Sequence, residues 1–259
     1  MAEFVQILGV SESTIRRDLE VLEEQGLIKR TYGGAVFVKD TAGQRLAFAE
    51  RETTAEAEKE AIARTIAEMI PENQTILLNG GTTCRQIARV ISGRYLSVVT
   101  NSVPVASLLS SDLGTEVTIV GGYVYPRTGV ALGAMACGQL DYVGATQAVL
   151  SCAGVTEEGA FNLNQMMVEV ERKMMTVARE VILAVDHTKF GIRSVVKLCG
   201  LDEVDVIVTD TGVDEATRAW LDALEAKVIY AEVAEERVTR PGGGAGVAAG
   251  PGEFGEANR

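Results

Sequence analysis

The stretch GVSESTIRRDL, residues 9–19, decides the fold of the amino-terminal part of this chain. Ser11 is a residue type that caps helix N-termini. Three apolar residues follow at i, i+4 and i+7, the spacing of one helical face: Ile15, Leu19 and Leu22. At about 100° per residue, the opposite face carries Ser13, Arg16, Arg17 and Glu20. The pattern predicts a helix with an apolar inner face and a polar outer face.

The outer face of this helix is suited to reading DNA. An arginine side chain grips guanine or phosphate with two hydrogen bonds, and the N-terminal part of a recognition helix meets the base edges. An Arg-Arg pair alone is more often a solvated surface. Here the turn, the helix and the basic stretch LIKRTYGGAV, residues 27–36, follow in the order of a helix-turn-helix with a β-wing. The predicted DNA contacts are Ser13, Thr14, Arg16, Arg17, Lys29 and Arg30.

Residues 11–36 resemble the winged helix-turn-helix of the DeoR family of bacterial transcription regulators. The resemblance extends along nearly the whole chain. Its connector motifs are Phe48, Arg51, Glu58-Lys59 and Ile62-Ala63, and its sensor motifs are Gly81-Thr82-Thr83, Val99-Thr100-Asn101-Ser102, Gly121-Gly122 and Asp186-His187-Thr188-Lys189-Phe190-Gly191. The resemblance implies a sensor domain related to ribose-5-phosphate isomerase and a phosphorylated sugar or polyol as effector. It also implies a homodimer or homotetramer that binds double-stranded operator DNA, as a repressor of a catabolic operon.

Composition limits the remaining possibilities. The 259 residues allow one large domain or two ordinary ones, and the net charge of −12 argues against nonspecific coating of nucleic acid. Residues 1–40 carry five basic and seven acidic side chains, so DNA contact must depend on placement. The four cysteines have no metal-binding spacing and there is one histidine, so we expect no metal, no cofactor and a reduced cytoplasmic protein. The sequence has neither a signal peptide nor an apolar run of about 18 residues, so we expect a chain that is neither exported nor membrane-spanning.

The chain divides into four predicted parts. Residues 1–38 form the winged module, 39–53 a linker, 54–238 the sensor domain and 239–259 a disordered Gly-, Ala- and Pro-rich tail. The predicted helices are Ala55–Ile70 and others beginning near Cys84, Val103, Gln165 and Asp214. The predicted strands are Thr75–Asn79, Leu96–Thr100, Glu116–Val120, Ala145–Ser151, Glu180–Val185, Asp205–Thr209 and Lys227–Ala231. Because most strands are continuous apolar runs, the fold class is α/β with a largely parallel sheet.

A glycine-rich segment is the first candidate for effector binding, since ligands of open α/β sheets sit beyond the carboxyl ends of the strands. Asn79-Gly80-Gly81-Thr82-Thr83 follows a strand and begins a helix. Its glycines allow close backbone approach to a phosphate, and the helix N-terminus favours negative charge. A plain strand-helix turn explains the segment equally well, and the spacing of a Walker loop is absent.

The other candidates also follow predicted strands. Thr100, Asn101 and Ser102 would read hydroxyl groups, unless Ser102 is only a helix cap. Gly121 and Gly122 would allow close approach or a turn, and Lys189 would neutralise a phosphate. Glu169 borders the effector pocket by family resemblance, although an i, i+3 ion pair with Arg172 is the ordinary explanation.

A sugar-phosphate isomerase is the alternative function. It needs a general base, and isomerases of this fold carry an acidic run after a central strand. Here that strand end reads Ser151-Cys152-Ala153-Gly154, while Glu157 and Glu158 come later and His187 has only Asp186 as an evident acidic neighbour. We therefore expect no catalytic residues. Many DeoR-family members carry an acid in the 151–154 segment and Asp-Ser-Ser-Lys at 186–189, so the departures leave the effector's identity open.

The start of the chain carries a further expectation. A winged helix-turn-helix needs a helix before residues 3–8, and Met1 and Ala2 lead directly into what resembles the second helix. Ile15, Leu19 and Leu22 would then lack apolar partners, each worth about 1.5–3 kcal/mol when buried. We expect a misassigned start or a truncation, with weak operator binding until the helix is restored.

Overall fold

The computed structural model describes residues 10–24, 28–31, 34–37 and 50–234. The predicted tail, most of the predicted linker and the chain start on which the expectation of a missing helix rests lie outside these ranges.

The predicted helix and hairpin of the amino-terminal module are both present. Helix α1 spans Glu12–Glu24, and the Ser11 hydroxyl accepts a hydrogen bond from the Thr14 backbone N–H at 3.2 Å, as a capping residue does. Ile15 is buried on the inner face. Strands β1 (Ile28–Thr31) and β2 (Gly34–Phe37) pair antiparallel as the predicted wing.

The described residues from 50 onward form an α/β domain, the part of the chain predicted to be the sensor. Its helices are α2 Glu56–Met69, α3 Thr82–Ile91, α4 Val103–Leu109, α5 Ala134–Leu140, α6 Gln165–Val177 and α7 Glu215–Leu221. Its strands are β3 Thr75–Leu78, β4 Leu96–Thr100, β5 Thr115–Ile119, β6 Tyr123–Tyr125, β7 Val130–Leu132, β8 Ala145–Leu150, β9 Gly154–Thr156, β10 Gly159–Asn162, β11 Ala178–Ala184, β12 Val196–Cys199, β13 Val206–Asp210 and β14 Lys227–Ala231. Residues 50–53, at the end of the predicted linker, are helical.

Seven of these strands form one parallel sheet in the order β14-β13-β11-β8-β3-β4-β5. They are the seven strands that the apolar runs predicted. The central strands are buried on both faces because helices cover both sides of the sheet. The edge strand β5 differs from the central strands, since its residues Glu116, Thr118 and Ile119 are exposed.

The sheet separates two hydrophobic cores, and β3 shows how. Leu77 belongs to the core under α5 and α6, whereas Ile76 and Leu78 belong to the core under α2 and α3. Side chains that alternate along a strand point to opposite faces. Successive residues of a central strand therefore pack alternately against the two layers of helices.

Three further elements were not predicted from the sequence. They are the β6–β7 hairpin, helix α5 and a three-stranded sheet in the order β12-β10-β9. An isolated bridge between Ser102 and Val130 connects the hairpin to the end of β4. These strands are only three or four residues long, which is too short for a recognisable apolar alternation.

Candidate functional site

A cavity of about 200 Å³ lies at the carboxyl edge of the sheet, beyond β3 and β8. Its lining residues are Arg51, Gly80, Gly81, Thr82, Thr83, Thr128, Ser151, Cys152, Ala153, Asn162, Leu163, Met167 and Lys189. Five of them were predicted as effector contacts: Gly80, Gly81, Thr82, Thr83 and Lys189. Among these lining residues, all in the described part of the chain, no side chain is a carboxylate.

The glycine-rich segment forms the cradle between β3 and α3. A Cβ atom on Gly80 would lie 2.1 Å from Cγ1 of Val130, so only glycine allows the β6–β7 hairpin to approach this closely. Gly81 precedes α3 with φ at +124°, in a region that favours glycine, and has no side chain to cap the helix. The first backbone N–H groups of a helix have no partner within it, and its N-terminal dipole favours an anion. The cradle is therefore suited to a phosphate.

Two cationic side chains reach the cavity from different parts of the chain. Lys189 follows β11, and its ammonium group lies 4.0 Å from a carboxyl oxygen of the fully buried Asp186. Arg51 comes from the helical turn that precedes α2. Burial and the positive charge of Arg127 lower the pKa of the Arg51 guanidinium. Like charges repel at this site, and a bound anion would relieve that repulsion.

One residue of the cavity lining has a buried hydroxyl group without a hydrogen-bond partner in the described part of the chain. Thr128, in the turn of the β6–β7 hairpin, is 6% exposed, and its Oγ1 atom has no partner among the described residues. A buried polar atom that stays unpaired costs about 1–3 kcal/mol. A ligand oxygen that reached Thr128 Oγ1 would satisfy it.

A buried carboxyl group lies directly behind the cavity wall. Glu171 of α6 is 3% exposed and accepts hydrogen bonds from the side-chain amides of Asn79, at 3.1 Å, and Asn162. Burial raises the pKa of Glu171 to about 8, although both amides oppose that change. Asn162 lines the cavity, so Glu171 fixes the orientation of a residue that an effector would touch.

Asn79, Thr100, Asn101 and Ser102 do not line the cavity. Asn79 joins two strand ends, since its amide donates to Ser151 O at 3.0 Å and its Oδ1 accepts from Ser151 N at 3.0 Å. The Thr100 hydroxyl accepts a hydrogen bond from Ser102 N. Ser102 caps α4, which is the helix-cap alternative predicted from the sequence for this residue. Asn101 donates to Ala131 O of the hairpin at 3.0 Å. These side chains hold the cradle and the hairpin in place.

Gly121, Gly122 and Glu169 also lie away from the cavity lining. The backbone of Gly121 exchanges two hydrogen bonds with the Gln139 side chain of α5. A Cβ atom on Gly122 would lie 2.7 Å from Leu132 O, so this position packs against β7. Glu169 is exposed and accepts from Gln165 rather than pairing with Arg172. The buried acid of α6 is Glu171.

His187 has a carboxylate partner that the sequence did not reveal. Its Nδ1 lies 2.8 Å from Oδ2 of the fully buried Asp210, and its backbone N–H donates to Oδ1 at 2.7 Å. Neither residue lines the cavity. Glu157 and Glu158 are exposed in the β9–β10 turn, and burial raises the pKa of Cys152 to about 12, so that thiol stays neutral. The cavity lining thus supplies no general base for an isomerase.

The predicted DNA contacts whose side chains are described all lie on the surface of α1. Ser13, Thr14, Arg16 and Arg17 are exposed. The Arg16 guanidinium forms an ion pair with Glu12 one turn earlier, at 2.8 Å. Lys29 and Arg30 fall in β1 as expected, although their side chains lie outside the described part.

Neither a membrane-spanning helix nor a metal site occurs in the described part of the chain. No helix there has the length and apolar character that crossing a bilayer requires. No cluster of three or more His, Cys, Asp or Glu side chains there is arranged to hold a metal ion.

Comparison with known families identifies the chain. A family model of the DeoR C terminal sensor domain matches residues 54–211, and one of the DeoR-like helix-turn-helix domain matches residues 1–41. The chain belongs to the DeoR family. It is therefore a DNA-binding transcription regulator and not an enzyme, as the amino-terminal motif and the family resemblance predicted.

Curated relatives match most of the chain. The HTH-type transcriptional repressor CsqR of Escherichia coli is 32% identical over 231 residues, which cover 88% of this chain and 87% of the relative. The glycerol-3-phosphate regulon repressor of Escherichia coli is 32% identical over 210 residues, covering 80% and 82%. Ribose 5-phosphate isomerase A from Neisseria gonorrhoeae resembles 52% of this chain with a TM-score of 0.39, and 53% of that chain is covered at 16% identity. That level of similarity is too low to transfer an activity.

Proposed function

We propose that this DeoR-family regulator represses a sugar or polyol catabolic operon and is controlled by a phosphorylated metabolite bound in the cavity at the carboxyl edge of the sheet. The backbone of Gly81, Thr82 and Thr83 would hold the phosphate, and Lys189 would neutralise it. The ester's carbon chain and hydroxyl groups would face Asn162 and the end of β8.

One observation carries the proposal. The cradle at the N-terminus of α3 opens into a cavity that Lys189 and Thr128 also line, and the buried hydroxyl of Thr128 has no partner among the described residues. Backbone N–H groups, a cation and a hydroxyl are the groups that bind phosphate oxygens in proteins. The cavity lining carries two cations, Arg51 and Lys189, and no carboxylate, so we infer that the anionic ester is preferred.

The relatives support a phosphorylated effector. One of them is named for a glycerol-3-phosphate regulon, and several carry the name repressor. The cavity of about 200 Å³ is of a size to take a small phosphate ester.

A calorimetric screen tests the proposal. Glycerol 3-phosphate, glucose 6-phosphate and fructose 6-phosphate are titrated into the full chain beside glycerol, glucose and fructose. We expect at least one ester to bind more tightly than its unphosphorylated parent. Equal affinity within every pair would defeat the phosphate assignment. Operator DNA, selected from genomic fragments with the same chain, should then be released by the ester that binds.

We further propose that the regulator acts as a homodimer or homotetramer in the cytoplasm. A single recognition helix reads a short site, whereas a symmetric dimer reads two half-sites about 34–36 Å apart or a multiple of that distance. Light scattering at micromolar concentration, with and without the ester, should report an oligomer. A monomer under both conditions would contradict this.

A further inference from the structure

We propose that residues 50–55, named the strap here, form a wall of the effector site and report its occupancy to the DNA-binding module, with Arg51 contacting the effector's anionic group. This inference rests on the proposed function. It adds an effector contact from a residue that comes before the sensor-domain core in the sequence. It also adds a route by which effector binding affects the DNA-binding module. Three attachments of the strap carry the argument.

The first attachment is the Arg51 side chain itself. It is half-buried and lines the cavity together with the cradle and Lys189. The positive charge of Arg127 in the β6–β7 hairpin acts on it from another element. An arginine in this environment matches a phosphate with a planar pair of donors, and the phosphate offsets the repulsion between the cations. Arg51 therefore places a second cation, besides Lys189, in the cavity lining.

The second attachment is made by a buried lysine. Lys59 of α2 is 2% exposed, and its ammonium group donates hydrogen bonds to the backbone carbonyls of Arg51 and Thr54. Burial lowers the pKa of Lys59, the charges of Lys189 and Arg51 lower it further, and Asp186 opposes them. Lys59 thus holds the backbone of the strap and is also close enough to Lys189 and Asp186 for their charges to act on it.

The third attachment joins the strap to the helix that forms the cradle. Glu52 makes ion pairs with Arg85 and Arg89 of α3, with Arg89 Nη2 at 2.9 Å from Glu52 Oε1. The Arg85 and Glu52 side chains are about three-quarters buried, so this contact is better shielded from solvent than a surface pair. A change at the N-terminus of α3 and a change in the strap are therefore mechanically connected.

The position of the strap in the chain gives the signal its direction. Residues 38–49 separate the end of the wing strand β2 from the strap, so the strap is the sensor segment nearest to the DNA-binding module in sequence. If the effector contacts Arg51 in only one arrangement of the strap, effector binding favours that arrangement. The shift in the strap then changes the affinity for operator DNA. Thermodynamic linkage requires that operator DNA shift the effector affinity by the same factor.

The test uses the full chain, with inorganic phosphate and the tightest ester of the calorimetric screen as probes. Arg51→Ala should weaken both probes about tenfold or more, since it removes a charge-assisted hydrogen bond. Arg51→Lys, which keeps the charge but not the planar fork, should fall between. The matched control is Arg64→Ala, because Arg64 is an exposed arginine of α2 paired with Glu60. It should bind both probes like the wild type.

The second arm tests transmission. Glu52→Gln breaks the ion pairs to α3, and Glu52 does not line the cavity. We expect the ester to bind this variant still, while the ester-induced change in operator affinity, measured by fluorescence anisotropy, shrinks about threefold or more. The ester should also slow amide hydrogen exchange in residues 51–55 of the wild type and not of Arg51→Ala.

The outcomes separate the two proposals. If the wild type binds no phosphate ester, the proposed function fails and this inference falls with it. The Arg51→Ala variant must first be shown to be folded by its urea unfolding curve. If it then binds the ester as tightly as the wild type does, only the Arg51 contact is overturned. An unchanged operator response in Glu52→Gln overturns transmission through the strap, while the effector site stands.

Discussion

The side-chain amide nitrogen of Asn162 lies 2.8 and 2.9 Å from the two carboxyl oxygens of Glu171. Asn162 ends the short strand β10 and lines the cavity, whereas Glu171 lies on α6 and is almost fully buried. The pair places a titratable group one residue behind the surface that an effector would touch. Protonation of Glu171 therefore affects both the stability of the fold and the wall of the site.

Glu171→Gln should flatten the pH dependence of stability. Burial raises the pKa of Glu171 from its ordinary 4.5 to about 8, so the folded chain holds this proton more tightly than the unfolded chain. The resulting stabilisation is complete below the ordinary pKa and is lost as the pH rises through about 8. In that window the slope approaches about 1.4 kcal/mol per pH unit, and glutamine cannot titrate. Urea unfolding from pH 5 to pH 9 in both proteins measures it, and parallel curves would contradict the assignment.

Gly80→Ala should destabilise the chain by overpacking, with a rescue that identifies the cause. The new Cβ atom would lie 2.1 Å from Cγ1 of Val130, and overpacking of this kind costs about 1–3 kcal/mol. Adding Val130→Ala removes the clashing atom, so the double variant should be more stable than the sum of the two single changes predicts. Urea unfolding of the four proteins gives the coupling energy. Additive effects would mean that the hairpin does not press on the cradle.

Lys189→Ala should weaken binding of the phosphate ester and leave the parent sugar unaffected. The lost charge-assisted hydrogen bond is worth about 1.5–3 kcal/mol, or roughly tenfold to 150-fold in affinity. Lys227→Ala is the matched control, because Lys227 is exposed and begins β14 at the opposite edge of the sheet. Calorimetry on both variants decides the matter. Equal losses in the two variants would point to a general effect of net charge.

Arg17→Ala and Glu12→Gln should change operator binding in opposite directions. Arg17 is exposed on α1, and removing a phosphate contact should reduce the slope of log affinity against log salt by about 1. Glu12 holds Arg16 in an ion pair, so Glu12→Gln releases a cation and removes a charge that repels DNA. We expect a gain of about threefold in affinity, as small as exposed ion pairs usually are. Anisotropy titrations at several salt concentrations measure both, and a weaker Glu12→Gln complex would contradict this role for Arg16.

The large sheet was predictable because burial on both faces leaves a direct mark in the sequence. A strand covered by helices on both sides is largely apolar, so the runs of the central strands were visible without knowledge of their partners. The helix α1 and the wing were equally accessible, since a cap, an apolar stripe and a basic hairpin are local patterns. The cradle and Lys189 could be placed at one edge because parallel strands bring their carboxyl ends together.

The choice between Glu169 and Glu171 shows what local pattern leaves open. Two residues apart on a helix, they lie about 200° apart and so on nearly opposite faces. Family resemblance favoured Glu169, which is exposed, whereas Glu171 follows Met167 by four residues and precedes Met174 by three. That spacing puts Glu171 on the buried stripe, and it was the available signal. Only the amides of Asn79 and Asn162 make such burial tolerable for a carboxyl group.

The sequence by itself determined the family and the parallel sheet, because the motifs and apolar runs that indicate them each lie within a short segment. The tertiary structure decided which groups meet. Asp210 reaches His187 across 23 residues because β11 and β13 are neighbours in the sheet. Arg51 and Thr128 reach the cavity from a turn before α2 and from a hairpin of three-residue strands. Contacts of this kind depend on where distant elements pack, and no local pattern of side chains encodes that.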